Sequence, residues 1–181
     1  IVTPITYMNS TADIKSLCGE NDGVVCTSSN AEQTFEWALK KQGKILFLPD
    51  QHLGRNTASR MGVSDDEMIV WDPFKSLGGN SEEDINKSKI ILWKGHCSVH
   101  TRFTLEQIKK ARHKHNDVKV IVHPECTPDV VDNADLYGST EFIINQVSNS
   151  KPGTTWAIGT EINLVNRLAK ENQDKNIFCL D

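Results

Sequence analysis

The sequence predicts an α/β protein whose strands form parallel sheets. Short apolar runs, rich in Val and Ile, alternate with helical stretches along nearly all of the 181 residues. Almost every apolar run ends in a polar or glycine-containing loop just before the next helical stretch. This order of strand, loop and helix is typical of right-handed crossover connections, in which successive strands lie parallel. A chain of this length can bury one large or two small cores.

The first half of the chain predicts five strands and three main helices. The strands are residues 4–8, 23–26, 45–48, 68–71 and 89–93, and the helices run from Thr11 to about Leu17, from Ala31 to Lys41, and after His52 to about Met61. Asn9-Ser10-Thr11 supplies capping side chains for the first helix, and Gly43 ends the second. Residues 72–88 are polar and contain Gly78-Gly79, so we expect a solvated loop or a short helical excursion there.

The second half continues the same alternation. Its predicted strands are residues 118–122, 134–137, 154–158 and a last run from Asn176, and its helices are 104–115, about 128–133, one beginning near Thr140, and 161–171. Thr104 is the expected cap of the first of these helices, and Pro128 suits the first turn of the second. We therefore expect two domains, residues 1–94 and 95–181, each with about four strand–helix units.

Composition and charge exclude several classes of protein. The formal net charge of −4 leaves no basic field for nucleic acid or for an anionic membrane surface. No apolar run approaches the ~20 residues that a membrane-spanning helix needs. The five cysteines are odd in number and widely scattered, which favours reduced thiols over a disulfide framework. We expect a cytoplasmic protein with small-molecule ligands.

Two loops at consecutive predicted strand ends each carry a histidine and a cysteine. Trp93–His100 follows one apolar run and includes Cys97, and His123-Pro124-Glu125-Cys126 follows the next. Ligands collect at the carboxyl ends of parallel strands. Cys97 is either a buried inert thiol or a thiolate ligand. Zinc would want four close ligands, a clustering that the sequence lacks, and three cysteines from three separate loops would suit an iron–sulfur cluster instead.

His123 and Glu125 are two residues apart in one extended loop, so both side chains can face the same cavity. An imidazole and a carboxylate over one site are the usual groups for proton transfer, and the alternative is a salt-bridged loop. Tyr7 and Asn9 have the same spacing at the end of the first strand.

Two helix starts are candidates for binding anions. Thr27-Ser28-Ser29-Asn30 and Gly138-Ser139-Thr140 each precede a helical stretch whose first backbone N–H groups suit a carboxylate or phosphate. The alternative is plain helix capping. A non-catalytic α/β module that binds an anionic small ligand at these helix N-termini is therefore one hypothesis for the function.

Seven short motifs, taken in order along the whole chain, resemble the quinolinate synthase family. They are Tyr7-x-Asn9-Ser10-Thr11, Thr27-Ser28-Ser29-Asn30-Ala31, Leu48-Pro49-Asp50-x-His52-Leu53-Gly54-Arg55, Gly95-His96-Cys97-x-Val99-His100, His123-Pro124-Glu125-Cys126, Gly138-Ser139-Thr140 and Gly159-Thr160-Glu161-x-Asn163-Leu164-Val165. The resemblance implies repeated small three-layer α/β/α domains, pseudo-symmetric around a central site. It also implies condensation of iminoaspartate (iminosuccinate) with dihydroxyacetone phosphate to quinolinate, in de novo NAD biosynthesis.

The resemblance further implies a 4Fe–4S cluster with one cysteine from each of three loops, of which Cys97 is one. The open iron would act as a Lewis acid on substrate. The implied catalytic residues are Glu125, His123 and Tyr7, and the implied substrate-binding residues are Tyr7, Asn9, Ser28, His123, Glu125, Ser139 and Thr140. An L-aspartate oxidase is the implied supplier of the unstable imine.

The chain also departs from the family pattern. One family cluster cysteine lies upstream of the Tyr-x-Asn motif and another downstream of the last strand, and Cys18, Cys26, Cys126 and Cys179 do not lie in matching motifs. We therefore expect the chain to correspond to the second and third domains, without the first domain and the C-terminal segment. In that form it would be inactive alone.

Overall fold

A computed structural model describes residues 2–41 and 43–181. Ile1 and Gln42, which fall within the predicted first domain, lie outside the described residues. The chain divides into two compact units, the first ending at His96 and the second beginning at Cys97. Each unit has its own parallel sheet with flanking helices, which confirms the predicted α/β class.

The first unit contains a five-stranded sheet in the order β2-β1-β3-β5-β4, with every neighbouring pair parallel. Its strands are β1 (Val2–Tyr7), β2 (Val24–Cys26), β3 (Lys44–Leu48), β4 (Met68–Trp71) and β5 (Ile90–Trp93). Its helices are α1 (Ala12–Glu20), α2 (Ala31–Leu39), α3 (Gln51–Arg60) and α4 (Glu82–Lys87), with short 3-10 helices at Asp65–Glu67 and Ser76–Gly79.

The core of this unit forms where apolar strand residues meet the helices. Ile5, Phe47 and Leu92 from three adjacent strands are fully buried together with Phe35 of α2 and Leu53 of α3. The Phe35 and Phe47 rings meet edge to face with centroids 5.2 Å apart, a favoured aromatic geometry. Strands β3, β4 and β5 are nearly continuous apolar runs, as expected for a parallel sheet that helices cover.

The polar segment 72–88 is partly helical, so the second of the two predicted forms is correct. Ser81 caps α4 through a capping box with Asp84, in which each side chain accepts from the other residue's backbone N–H. None of the residues of α4 is buried. Helix α4 is therefore held mainly by local capping, whereas Asp72, Gly78 and Ser88 of the same segment are buried.

The second unit contains a four-stranded sheet in the order β7-β6-β8-β9, again with all neighbouring pairs parallel. Its strands are β6 (Lys119–Val122), β7 (Leu136–Tyr137), β8 (Thr155–Gly159) and β9 (Asn176–Cys179). Its helices are α5 (Leu105–Lys114), α6 (Pro128–Asn133), α7 (Thr140–Ser148) and α8 (Ile162–Glu171), with a short 3-10 helix at His100–Arg102.

Strand β7 is shorter than the predicted run of residues 134–137. The Ala134 N–H still donates to Val130 O at 3.1 Å, so this residue closes the end of α6 and cannot join the sheet.

Alternate residues of β6 build two apolar layers in this unit. Val120 and Val122 pack in a cluster that includes Ile108 of α5 and Val130 of α6. Ile121 packs in a separate cluster with residues of α7 and α8. Successive strand side chains point to opposite faces, so a central apolar strand needs helices on both sides. The result is a three-layer α/β/α arrangement. Among the described residues, no helix is both long and apolar enough to cross a bilayer.

Two separate glycine-to-alanine substitutions, compared with each other, test the packing of the first unit. A Cβ at Gly54 would lie 2.6 Å from Phe47 Cδ1 and 2.6 Å from Leu92 Cδ2, both fully buried. We expect Gly54→Ala to lower the free energy of unfolding by about 1–3 kcal/mol through overpacking. A Cβ at Gly19 in α1 would have no neighbouring atom within 4 Å. Gly19→Ala should therefore raise the free energy of unfolding by up to about 1 kcal/mol. Urea denaturation of both variants gives the comparison, and a neutral Gly54→Ala would contradict the described packing.

Candidate functional site

The loop after β6 is anchored to the neighbouring strand. The His123 N–H donates to Gly159 O at 3.0 Å, which extends the β6–β8 ladder one residue beyond Val122. All four residues of the loop His123–Cys126 are buried. Because β6 and β8 are parallel neighbours, Thr160 follows β8 at the same edge of the sheet.

The segment that begins the second unit turns back on itself. The backbone N–H and the hydroxyl of Thr101 both donate to Cys97 O, at 3.1 and 3.0 Å. This turn places Cys97 and His100 on one side of the segment, with His100 Nδ1 3.2 Å from Cys97 Sγ. His100 is buried and Cys97 is half-buried.

The Glu125 carboxylate contacts two imidazoles that stack on each other. Its Oε2 atom is 3.2 Å from His100 Nδ1 and 3.3 Å from His123 Nδ1. The two rings stack with centroids 4.4 Å apart. Glu125 is only 4 % exposed, so its carboxylate depends on these neighbours rather than on bulk water for polar contacts.

His123 is a neutral imidazole. Burial, with a smaller effect from the charge of His100, lowers the pKa of His123 to about 3. The Glu125 N–H donates to His123 Nδ1 at 3.3 Å, which makes Nδ1 an acceptor and leaves the ring hydrogen on Nε2. The contact of 3.3 Å between His123 Nδ1 and Glu125 Oε2 is therefore not an ion pair, because both atoms are hydrogen-bond acceptors.

Thr160 holds the other side of the His100 ring. Its Oγ1 atom is 3.3 Å from His100 Nε2, and the residue is 3 % exposed. His100 thus has contacts at both ring nitrogens, with the Cys97 thiol and the Glu125 carboxylate on one and a hydroxyl on the other. Its orientation is fixed from both ends.

These groups can hold a metal ion or relay a proton. Cys97 Sγ, His100 Nδ1 and Glu125 Oε2 all lie within 4.8 Å of one another. A thiolate, an imidazole and a carboxylate are all ligands of transition metals. A carboxylate in contact with two imidazoles is also suited to moving protons to and from a substrate.

The remaining predicted residues of the second unit lie at the start of α7. Ser139 is buried and caps the helix, because its Oγ accepts from the Phe142 N–H at 3.2 Å. Thr140 is the first residue of α7 and is exposed. The Gly138 N–H donates to Val122 O at 3.1 Å, so this helix start lies beside the end of β6.

The predicted residues of the first unit lie at the ends of β1 and β2, which are parallel neighbours. Tyr7 ends β1 and is 6 % exposed within the core, whereas Asn9 is exposed. Ser28 is half-buried in the loop before α2. In that loop Asn30 Oδ1 accepts from the Thr27 N–H at 2.7 Å, and the Asn30 side chain does not cap α2.

The cysteines differ sharply in their suitability as ligands. Cys18, Cys26 and Cys126 are fully buried, and burial raises the pKa of Cys26 to about 12 and also raises that of Cys18. A thiol that stays protonated is a poor metal ligand. Cys97 lies in a polar loop beside His100 and Glu125, so it fits an iron of a cluster as one thiolate ligand.

Reasoning from the sequence singled out Cys97, His123 and Glu125, which the structure brings into one group. It did not select His100 or Thr160 as site residues. Thr160 directly follows a predicted strand, and His100 is three residues beyond Cys97. The strand-end rule therefore pointed to both, but nothing in the sequence showed that the two residues meet.

Comparison with known proteins gives consistent results along the chain. The model of the family described as Quinolinate synthetase A protein matches residues 2–181. A quinolinate synthase of Acidobacterium capsulatum is 59 % identical over 99 % of this chain and 49 % of its own length. A quinolinate synthase of Corynebacterium glutamicum is 55 % identical over 98 % of this chain and 45 % of its own length. One of a Nocardioides species is 54 % identical over 99 % of this chain and 48 % of its own length. The chain thus spans about half the length of these relatives.

The burial of the cysteines predicts their order of alkylation. In protein prepared without iron, iodoacetamide should label Cys97 and Cys179, which are half-buried, well before Cys18, Cys26 and Cys126. Peptide mass spectrometry over a time course gives the order, and protein unfolded in urea, in which all five thiols should react, is the control. Native labelling of Cys26 as fast as Cys97 would contradict the described burial.

Proposed function

Because the chain belongs to the quinolinate synthetase A family, we propose that it functions as a quinolinate synthase. This enzyme condenses iminoaspartate with dihydroxyacetone phosphate to give quinolinate, the pyridine precursor of NAD. The observation that carries the proposal is the buried Glu125 carboxylate, which contacts both His100 and His123 and lies near the Cys97 thiol. A module that only binds anions has no need for such a group, so the geometry favours an enzyme.

Cys97 is the residue of this chain that would hold an iron of a 4Fe–4S cluster. When bound, a cluster with an open iron supplies a Lewis acid for substrate oxygen or nitrogen. This assignment is supported by the surroundings of Cys97, whose thiol lies near the polar side chains of His100 and Glu125. Its loop is held by two hydrogen bonds from Thr101 to Cys97 O.

Glu125 is the proposed acid–base group. The reaction forms a carbon–carbon bond, releases phosphate and water and closes a ring, and several of these steps move protons. Glu125 Oε2 contacts both His100 and His123, so a proton taken up by the carboxylate can be shared with His100. His123 stays neutral near pH 7 because burial lowers its pKa to about 3. It would therefore act as a hydrogen-bonding group that orients substrate, not as a cation.

Substrate binding is proposed for residues at the strand ends of both units. The candidates are Tyr7, Asn9, Ser28, Ser139 and Thr140, together with His123 and Glu125. Tyr7 has a phenol that can also take part in proton transfer. The hydroxyls near the starts of α2 and α7 lie at positive helix ends, which favour the carboxylates and phosphate of the two substrates.

We further propose a cytoplasmic location and functional coupling to an L-aspartate oxidase. The five cysteines are odd in number and widely scattered, which suits a reducing compartment. Iminoaspartate hydrolyses readily, so a nearby enzyme that oxidises aspartate is the reasonable source of this substrate.

A cysteine substitution tests the cluster assignment. In the full-length protein we expect Cys97→Ser to abolish cluster binding, because a hydroxyl is a far poorer soft-metal ligand than a thiolate. Cys126→Ser and Cys179→Ser should keep wild-type iron content after anaerobic reconstitution with iron and sulfide. Iron analysis and visible absorption measure this, and finding Cys126 essential with Cys97 dispensable would reverse the assignment.

Substitution of Glu125 tests its role in proton transfer. We expect Glu125→Gln to keep fold and cluster but to lower kcat about 100- to 10,000-fold, the usual contribution of general acid–base catalysis. Steady-state kinetics with iron content measured in parallel decides this. Turnover near wild type would leave Glu125 as a residue that only packs the loop.

Ser28→Ala provides the contrast to this variant. It removes one hydrogen bond to an anionic substrate group, worth about 1.5–3 kcal/mol when charge-assisted. We expect a raised KM with kcat nearly unchanged, and a loss confined to kcat would argue against a binding role.

A further inference from the structure

We propose that Cys97, His100 and Glu125 form a binding site for a single zinc ion when no iron–sulfur cluster is present, and that Thr160 holds His100 for this purpose. The site is formed entirely by residues of the second unit. It goes beyond the proposed function, because a mononuclear site uses His100 and Glu125 as ligands and needs no sulfide and no other cysteine.

The spacing of the donor atoms suits a tetrahedral ion. His100 Nδ1 lies 3.2 Å from Cys97 Sγ and 3.2 Å from Glu125 Oε2. All three ligand atoms are within 4.8 Å of one another. With usual zinc bond lengths to sulfur, nitrogen and oxygen, neighbouring ligand atoms of a tetrahedral site are about 3.3–3.6 Å apart.

The charges and ligand types also suit zinc. One thiolate and one carboxylate neutralise a divalent cation, and a neutral imidazole adds no charge, so the filled site can stay buried. Three protein ligands leave a fourth position for a water molecule.

Thr160 contacts the ring nitrogen of His100 that faces away from the proposed ion. Histidines that bind metals nearly always donate their second ring N–H to a fixed acceptor, and loss of that acceptor costs 10- to 100-fold in affinity. Thr160 Oγ1 lies 3.3 Å from His100 Nε2 and is buried directly after β8. With the ion on Nδ1, the hydrogen lies on Nε2 and donates to this hydroxyl.

A consequence of the site is competition between metals. Zinc bound through Cys97 occupies the thiolate that a cluster iron would need, and zinc binds such donors more tightly than ferrous iron does. We therefore expect zinc-loaded protein to resist cluster assembly until a chelator removes the ion.

The test is a zinc titration of the full-length protein prepared without cluster and kept reduced. We expect one ion per chain at this site. Competition with a coloured chelator should show that Cys97→Ser and His100→Ala each weaken binding by more than about 100-fold, and Thr160→Val by about 10- to 100-fold. The matched controls Cys179→Ser and Thr154→Val, in the same unit, should bind zinc as the unsubstituted protein does.

Cobalt(II) gives a second readout on the unsubstituted protein, which removes any dependence on the folding of variants. We expect the intense visible bands of tetrahedral cobalt and a near-ultraviolet thiolate-to-cobalt band. A spectrum without the thiolate band, or zinc affinity unchanged in both His100→Ala and Thr160→Val, would overturn the proposal. Neither result depends on cluster content or turnover, so failure here is distinct from failure of the proposed enzyme function.

Discussion

The parallel alignment of β6 and β8 is the constraint on which the candidate site depends. One backbone hydrogen bond beyond the ladder, from the His123 N–H to Gly159 O, fixes where the buried loop leaves the sheet. Because both strands end at the same edge, the loop residue Glu125 and the strand-end residue Thr160 approach His100 from two sides. A shift of one residue in this register would move alternate side chains to the opposite face and break up the group.

A buried carboxylate beside two stacked imidazoles is the central feature of the candidate site. A buried carboxylate is costly unless it has hydrogen-bonding or charged partners. Here the nearby His123 is neutral, because burial lowers its pKa to about 3. His100 Nδ1 lies 3.2 Å from the same carboxylate oxygen, so the proposed proton transfer and the proposed zinc site would both use this pair.

Much of the fold and part of the site followed from local sequence patterns. The alternation of apolar runs with capped helices predicted the elements of both units, and strand-end loops singled out Cys97 and Glu125. The predicted boundaries of the elements were less accurate. Strand β7, for example, begins later than predicted, because the Ala134 N–H donates to Val130 O at the end of α6. Ser139 illustrates a further limit, since its hydroxyl caps α7 whether or not it also binds substrate.

The sequence by itself determined the α/β class, the strand-end positions of the reactive residues and the family, because spacing and residue type are local properties of the chain. The tertiary structure alone decided that His100 and Thr160, sixty residues apart, contact each other at 3.3 Å. It also decided that His123 is neutral while Cys97 remains half-buried. Strand order and burial set these properties, and both arise only when distant segments pack together.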